Sequence, residues 1–486
     1  MLCFNACSSD FLDREPSDLI SDSKKKEEAD KNLEKVLSPM MYGVYSTTFT
    51  PGTGGTVGPY DDDFGQKSID ICMDLMCGDM AMSGTSYGYF VDDYRFVDQA
   101  KTGMRAYSIW KYYYKIIMLS NEILDLLGGD DEMPDTDAKK AYYGQAKAMR
   151  AYAYFYLVNL YQHPYSEKKD KPGVPVYRTQ VGITPKGQST VGEVYELIIK
   201  DLEDAAIALE NYTRPEGSKT EIDKYVAYGL LANACLFTGD YQKAIAAVGK
   251  VIDRNNFSLM SASEILESGF SSVTIPGWMW AIDITADNTG KLKTFWAHVD
   301  IFTYGYAAVG DRKCIDNVLY ESILSRPNDI RKNQFSPEEK YAPINKFFDA
   351  ARTVNLTRSS TNDIVYMRVE EIYLLKAEAH ARAGEDDKAK AVLKTLVELR
   401  DADGAERIDK MNNAELLEEI YYNWRVEMWG EGKSYFAMKR YKKTVTRGSN
   451  HVVYPGDSKP YNHSRMIYEI PQSEISNNRY IVPQQD

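Results

Sequence analysis

The sequence predicts a mainly α-helical protein, in which a helical scaffold carries an irregular insertion containing short strands. Three observations predict it. Apolar residues recur at helical spacing over most of the chain outside 256–362. Two helix pairs repeat one spacing of small residues. Between 256 and 362 the helical period fades and apolar residues alternate with others instead.

Taken in order, residues 1–23 are polar and turn-rich and are expected to form a tether, which feeds a first helix near 26–48. Residues 50–68 contain Pro51, glycines at 52, 54, 55 and 58, and Asp61-Asp62-Asp63, which together signal a solvated loop. A long helix over 102–127 ends at Gly128-Gly129, where glycine supplies the left-handed cap. From Ala141 to Tyr161 the pattern is apolar nearly all the way round, so this helix is expected to be buried at the centre. Helices follow at about 190–209, 222–237 and 241–254. In the insertion Trp278, Trp280, Ile282 and Ile284 alternate, as do Phe295, Ala297, Val299 and Ile301, and both runs predict strands. Helical periodicity returns at 363–383, 386–400, 413–428 and 430–441, and the tail 444–486 reads as loop. The expected organisation is a tether (1–23) and one domain (24–486), with its scaffold in 24–255 and 363–443 and its insertion at 256–362.

The repeat is visible in two places. Ala234, Gly239 and Ala244 are spaced by five residues, and so are Ala379, Gly384 and Ala389. Small residues let two antiparallel helices approach closely, and the glycine turns the chain between them. This is the physics of a tetratricopeptide hairpin. The two copies lie much further apart than the roughly 34 residues of a tandem array, so the insertion is expected to interrupt the solenoid.

Composition narrows the function. The chain has 486 residues, a formal net charge of −13 and a 44% apolar share. No basic run is long enough to form a nucleic-acid face, since Lys24-Lys25-Lys26 leads directly into Glu27-Glu28. No apolar run approaches the roughly 20 residues of a spanning helix, so the protein is not expected to span a membrane by helix, which leaves room for an anchor. Cys72 and Cys77 have no histidine nearby to complete a zinc site, and Cys235 reads as a buried free thiol.

Several motifs fall short of the chemistry they suggest. Gly430-Glu431-Gly432-Lys433-Ser434 resembles the end of a phosphate-binding loop, but the glycine required five positions before Gly432 is Glu427. Consecutive aspartates at 61–63 rarely converge on calcium without a shaped loop. The histidines are scattered and no serine nucleophile elbow is present. Neither a catalytic residue, a metal site nor a cofactor is indicated, and the protein does not read as an enzyme.

An ordered set of motifs extends over nearly the whole length of the chain. It begins with Cys7, Phe11-Leu12-Asp13 and Pro16, and then Trp110-Lys111-Tyr112-Tyr113-Tyr114 with Ile116 and Asn121. It continues through Ala148-Met149-Arg150-Ala151-Tyr152-Ala153-Tyr154-Phe155 and Gly173-Val174-Pro175. The strongest stretch is Met367-Arg368-Val369-Glu370-Glu371-Ile372-Tyr373-Leu374-Leu375, then Ala377-Glu378-Ala379, Trp424-Arg425-Val426-Glu427 and Glu431-Gly432-Lys433. Ile470-Pro471 and Glu474-Ile475 close it, and in this order and spacing the motifs resemble those of the SusD/RagB family of outer-membrane nutrient-binding lipoproteins from Bacteroidetes. The resemblance implies tetratricopeptide-like helices under a ligand face, capture of oligosaccharides or polysaccharides, and delivery to a SusC-like TonB-dependent outer-membrane transporter. It also implies surface exposure on the outer membrane through a lipidated N-terminal cysteine. Such proteins begin with a signal peptide; here only Met1 to Ala6 precede Cys7, and Phe4-Asn5-Ala6-Cys7 resembles the end of a lipobox. Cys7, rather than Cys3, is the expected lipid carrier.

Sugar rings present apolar C–H faces that stack on aromatic planes, while their hydroxyls need polar groups at the edge. Aromatics in irregular segments are therefore the candidate ligand residues: Tyr87 and Tyr89 in the loop near 83–96, and Trp278, Trp280, Trp296, Tyr304 and Tyr306 in the insertion. Alternation would place Trp278 and Trp280 on one strand face. Two rival readings are capture of peptides, as in the RagB branch, and a structural tetratricopeptide adaptor that binds protein on its concave face.

Overall fold

The computed structural model describes residues 31–54, 60–254, 256–349 and 360–484. The tether, Cys3 and Cys7, and the first residues of the expected helix near 26–48 lie outside these.

The N-terminal scaffold begins with α1 (Leu33–Thr47), capped by the Asn32 side chain, and α2 (Gln66–Met76), every residue of which is buried. A three-residue strand β1 (Met80–Met82) follows, then α3 (Met104–Leu126) and α4 (Asp137–Tyr161). Next come α5 (Val191–Ala208), α6 (Lys224–Thr238) and α7 (Tyr241–Ile252). Local chemistry explains their starts. Thr190 and Glu193 form a reciprocal capping box on α5, and the Asp223 and Asp240 side chains cap α6 and α7. Helix α4 is the central one, buried continuously from Tyr143 to Tyr161. Its buried cations are paired: Arg150 reaches Asp201 at 2.8 Å and Asp130 at 2.6 Å, and Lys147 reaches Asp201 at 3.0 Å.

The insertion contains β2 (Trp278–Ile282), a short helix α8 (Phe295–Val299) and β3 (Lys313–Ile315). Beyond it come β4 (Ile364–Arg368), α9 (Val369–Arg382), α10 (Asp386–Val397), α11 (Asn413–Glu427), α12 (Lys433–Arg440) and a terminal helix α13 (Gln472–Asn477). The tail also holds a strand pair, Thr444–Thr446 with Ser458–Pro460, in a stretch whose sequence reads as loop. The second alternating run does not form a strand. Thr294 caps residues 295–299, its side chain accepting from Ala297 N, and the chain turns into helix there.

The fold is mainly helical, as the sequence indicates, and the strands occur only as two-stranded antiparallel pairs among the described residues. Successive helices α3 to α7 pack on one another, and α7 packs directly on α9. The insertion therefore interrupts the repeat in sequence while the stack stays continuous in space. Both repeat glycines turn their hairpins with positive φ, Gly239 at 82° and Gly384 at 75°, a region that side chains with a Cβ seldom adopt. The four described cysteines, Cys72, Cys77, Cys235 and Cys314, are buried and unpaired.

A charged network joins the insertion to the second half of the stack. Arg368, where β4 meets α9, lies 2.9 Å from Glu427, 3.0 Å from Glu370 and 3.0 Å from Glu431. Arg400 lies 3.0 Å from Glu427 and 3.3 Å from Glu370. Arg331 lies 2.7 Å from Asp329 and 3.4 Å from Glu427, and Lys346 lies 3.2 Å from Glu431. All of these side chains are buried, and the cations match the carboxylates one for one. Lys433, the lysine of the apparent phosphate loop, is likewise buried and faces Glu371 at 3.4 Å, so that motif serves the core.

Burial alone would raise the Glu427 carboxyl, but the Arg400, Arg368 and Arg331 guanidiniums overcome it and hold the pKa well below the ordinary range. A depressed carboxylate pKa gives stability that is present above the unfolded value of about 4.3 and is lost as pH falls through the folded value. Glu427→Gln leaves buried guanidiniums short of a partner and is expected to lower stability at neutral pH by about 3–5 kcal/mol. The gap to wild type should narrow below about pH 4 in urea melts, and a gap independent of pH would contradict the assignment.

Candidate functional site

The antiparallel pairing of β1 with β3 sets Met80 opposite Ile315 and Met82 opposite Lys313. It brings the loop after β1 against the loop before β3. Ser83 N donates to Arg312 O at 3.0 Å and Ser83 Oγ donates to Gly310 O at 2.9 Å. The Asp311 carboxylate accepts from Ser86 N at 3.1 Å and from Tyr87 N at 2.8 Å, fixing the backbone beneath Tyr87.

On this base sits a group of aromatic rings. Tyr306 packs against Tyr87 with ring centroids 5.0 Å apart, against Tyr89 at 4.7 Å, and stacks on His298 at 4.9 Å. Phe64 and Phe90 close the other sides of His298 at 5.3 and 5.2 Å. The Tyr306 hydroxyl donates to the Asp61 carboxylate, and burial followed by that contact raises its pKa far above the ordinary phenol. His298 Nε2 lies 2.9 Å from the Asp61 carbonyl oxygen, and burial lowers the imidazole pKa to about 3, so at neutral pH it donates from Nε2 as an uncharged ring. Arg105 binds Asp62 and Asp93, each at 3.0 Å. Tyr60, Tyr87 and Tyr89 line a cleft of about 280 Å³ with Asp62, Asp98 and Arg105 on its walls. Tyr87 is half exposed, Tyr89 partly so, and the Tyr306 ring is largely buried beneath them.

The arrangement offers aromatic planes beside carboxylates. Asp61 to Asp63, expected as a solvated turn, are instead partly or fully buried, with Asp61 and Asp62 spent on Tyr306 and Arg105. Asp61, His298 and Phe64 were not anticipated from the sequence. Nothing in it signals that positions 61 and 298 meet, because the contact follows from the β1–β3 pairing.

Of the seven candidate aromatics, Tyr87, Tyr89 and Tyr306 come together. Tyr304 is exposed and lines a separate narrow cleft with Lys291, Thr303 and Asn362. The three tryptophans are core residues, which corrects the expectation that they form a ligand platform. Trp280 donates from Nε1 to Thr220 O at 3.0 Å and packs on Tyr152 and Tyr366 within the helical core. Trp278 belongs to a second core that also holds Trp296, Phe347 and Trp429. A register shift between Trp278 and Trp280 separates their faces, so they do not share one. Trp296 donates from Nε1 to Asn362 O at 3.0 Å. The insertion is able to absorb these rings because its core is completed by Ile71, Cys72 and Leu75 of α2 and Val426 of α11.

Residues 10–236 match a SusD-like family described as starch-binding and associating with the outer membrane. Residues 293–485 match the SusD family, and residues 225–257 match a tetratricopeptide repeat. No curated protein matches the chain. Among solved structures, the fold is similar to a SusD-like carbohydrate binding protein from Bacteroides vulgatus, with 23% identity and a TM-score of 0.76 over 93% of this chain and 98% of that one. It is similar to a sugar binding protein from the same species at 22% identity and TM-score 0.75, over 93% of this chain and 98% of that one. A SusD superfamily protein from Parabacteroides distasonis gives 17% identity and TM-score 0.70, over 93% and 99%.

Core and surface aromatics should part on substitution. Trp296→Ala is expected to lower stability by about 3–5 kcal/mol. Tyr87→Ala, at a half-exposed position, should stay within roughly 0.5 kcal/mol of wild type. Denaturant melts of both variants check this; equal losses would place Tyr87 in the core.

Proposed function

The chain belongs to the SusD/RagB family, and from that premise we propose that it captures an oligosaccharide at the cell surface and hands it to a SusC-like TonB-dependent transporter. The cluster of Tyr87, Tyr89 and Tyr306 is the observation that carries this reading. Its rings are held at 4.7 and 5.0 Å on a braced backbone beside the Asp61 and Asp62 carboxylates. Ring faces stack on the C–H faces of a sugar, and carboxylate oxygens accept from its hydroxyls. Binding and release need no bond to break and no cofactor. The sugar-binding relatives of the same fold support a saccharide over a peptide as the ligand.

A stacking site that relies on no ion pair should bind a neutral glycan with little response to moderate salt. We expect a glycan array to yield a neutral oligosaccharide whose affinity falls by roughly 2 kcal/mol in Tyr87→Ala. Calorimetric titration measures it. An array without glycan binders, beside a peptide library with them, would favour the peptide-capturing reading.

The same reading, through the family resemblance, puts the protein on the outer membrane by a lipid on Cys7; no described helix is long and apolar enough to cross a membrane. Acyl chains contribute about 0.8 kcal/mol per buried CH₂, so several together anchor durably. In cells given the full gene, Cys7→Ala should move the protein to the soluble fraction while Cys3→Ala should not. Retention of the Cys7 variant in the membrane would refute the anchor.

A further inference from the structure

A second cleft, of about 550 Å³, opens on another face of α3 from the one that carries Arg105. Tyr107, Trp110, Tyr114 and Tyr177 line it, and α13 forms its far wall. Two of the three tyrosine hydroxyls are already engaged: Tyr114 donates to Pro175 O at 2.7 Å, and Tyr177 accepts from Lys186 N at 3.3 Å. Those bonds fix the rings, which pack on one another with Trp110 to Tyr114 at 4.9 Å and Tyr114 to Tyr177 at 6.1 Å. What the cleft presents to solvent is therefore mostly ring surface.

The charge around it is unlike that of the chain as a whole. Lys111 and Lys115 line the cleft, and Lys186 stands over the Tyr177 ring at 4.9 Å. None of the three ammonium groups has a carboxylate within 4 Å among the described residues. Glu474, the single carboxylate of the lining, accepts from Asn478 Nδ2 at 2.9 Å. On a chain of net charge −13, a cleft edged by three cations without ion-pair partners favours an anion. The first site has the opposite character, with Asp61, Asp62 and Asp98 about its tyrosines.

We propose that the cleft between α3 and α13 is a second binding site, for an acidic saccharide bearing a carboxylate or sulfate. The sugar ring lies on the Tyr107, Tyr114 and Tyr177 walls, and Lys111 and Lys115 hold its anionic group. That the ligand is a saccharide rests on the proposed glycan-binding function; that it is an anion rests on the cleft itself. An acidic peptide meets the charge requirement but makes less use of four aromatic walls than a sugar does.

The test titrates the full chain calorimetrically with a chondroitin sulfate tetrasaccharide, a maltotetraose control and a hexaglutamate peptide. The acidic tetrasaccharide should bind more tightly than maltotetraose, and more weakly as salt is raised. The exposed-cation variant Lys111→Gln/Lys115→Gln should weaken it at least about tenfold, since charge-assisted hydrogen bonds are the strong ones. Tyr87→Ala, in the other cluster, should leave that affinity unchanged. The proposal is overturned if the tetrasaccharide does not bind, if the lysine variant binds it as well as wild type, or if hexaglutamate binds more tightly. Because neutral-glycan capture is read from the array and from Tyr87→Ala, the two readings fail separately.

Discussion

The buried network around Arg368 is the interaction on which the remaining structure depends. Arg368, Arg400, Arg331 and Lys346 face Glu370, Glu427, Glu431 and Asp329, all withdrawn from water. Each ion removed from water costs several kcal/mol, and only a complete set of partners offsets that cost. The set is drawn from distant parts of the chain: β4 and α9, the end of α11, the residue shortly after α10, and two segments of the insertion. Omitting any one strands a charge in the core. Satisfaction of the network thus requires the insertion and the second half of the helix stack to dock in one arrangement. The sequence stretches that most strongly suggest the family, Met367 to Glu371 and Trp424 to Lys433, supply much of this network. The signature records architecture, and it contains none of Tyr87, Tyr89 and Tyr306.

The same separation governs the candidate site. The helices set a rigid frame, and the three-residue pairing of β1 with β3 carries two loops distant in sequence onto it. Asp311 then organises one loop from the other by accepting two backbone N–H groups. Rigid rings on a braced backbone lose little freedom on binding, which is how a shallow surface achieves useful affinity. His298 serves beneath them as an uncharged spacer, its ring stacked between Phe64 and Tyr306.

Much of the scaffold was legible because its information is local. Capping residues, glycine stops and periodicity located most helices within a few residues, and the continuous apolar face of 141–161 identified the central helix. The helix expected over 363–383, however, begins only at Val369, because Ile364–Arg368 pairs with β2 as strand β4. Helix α2 was missed because it is buried on every side and polar in part, so no periodic stripe marks it. Information that depends on tertiary contact was not legible. Period two at Trp278 and Trp280 implied one face, but a bulge divides the residues between two cores. The same period over 295–301 implied a strand, where a threonine cap and local burial produced a helical turn. Tyrosine in irregular segments proved a better guide to the surface than tryptophan, whose larger apolar area draws it inward when a core is near. Asp61 and His298 carried no signal at all, since their roles exist only once the loops meet.

The direct contact of α7 with α9 has an evolutionary consequence. The polypeptide leaves the stack after α7 and rejoins it at α9, and β2 closes on β4 just before it does so. The excursion is a cassette with a zipped base, and lengthening its exposed loops costs only the slowly growing entropy of closure. Lineages that retain the zipper and the charges at its foot are free to exchange recognition loops wholesale. A change of loop chemistry then requires no reinvention of the body that presents those loops, and relatives far apart in sequence can keep one silhouette.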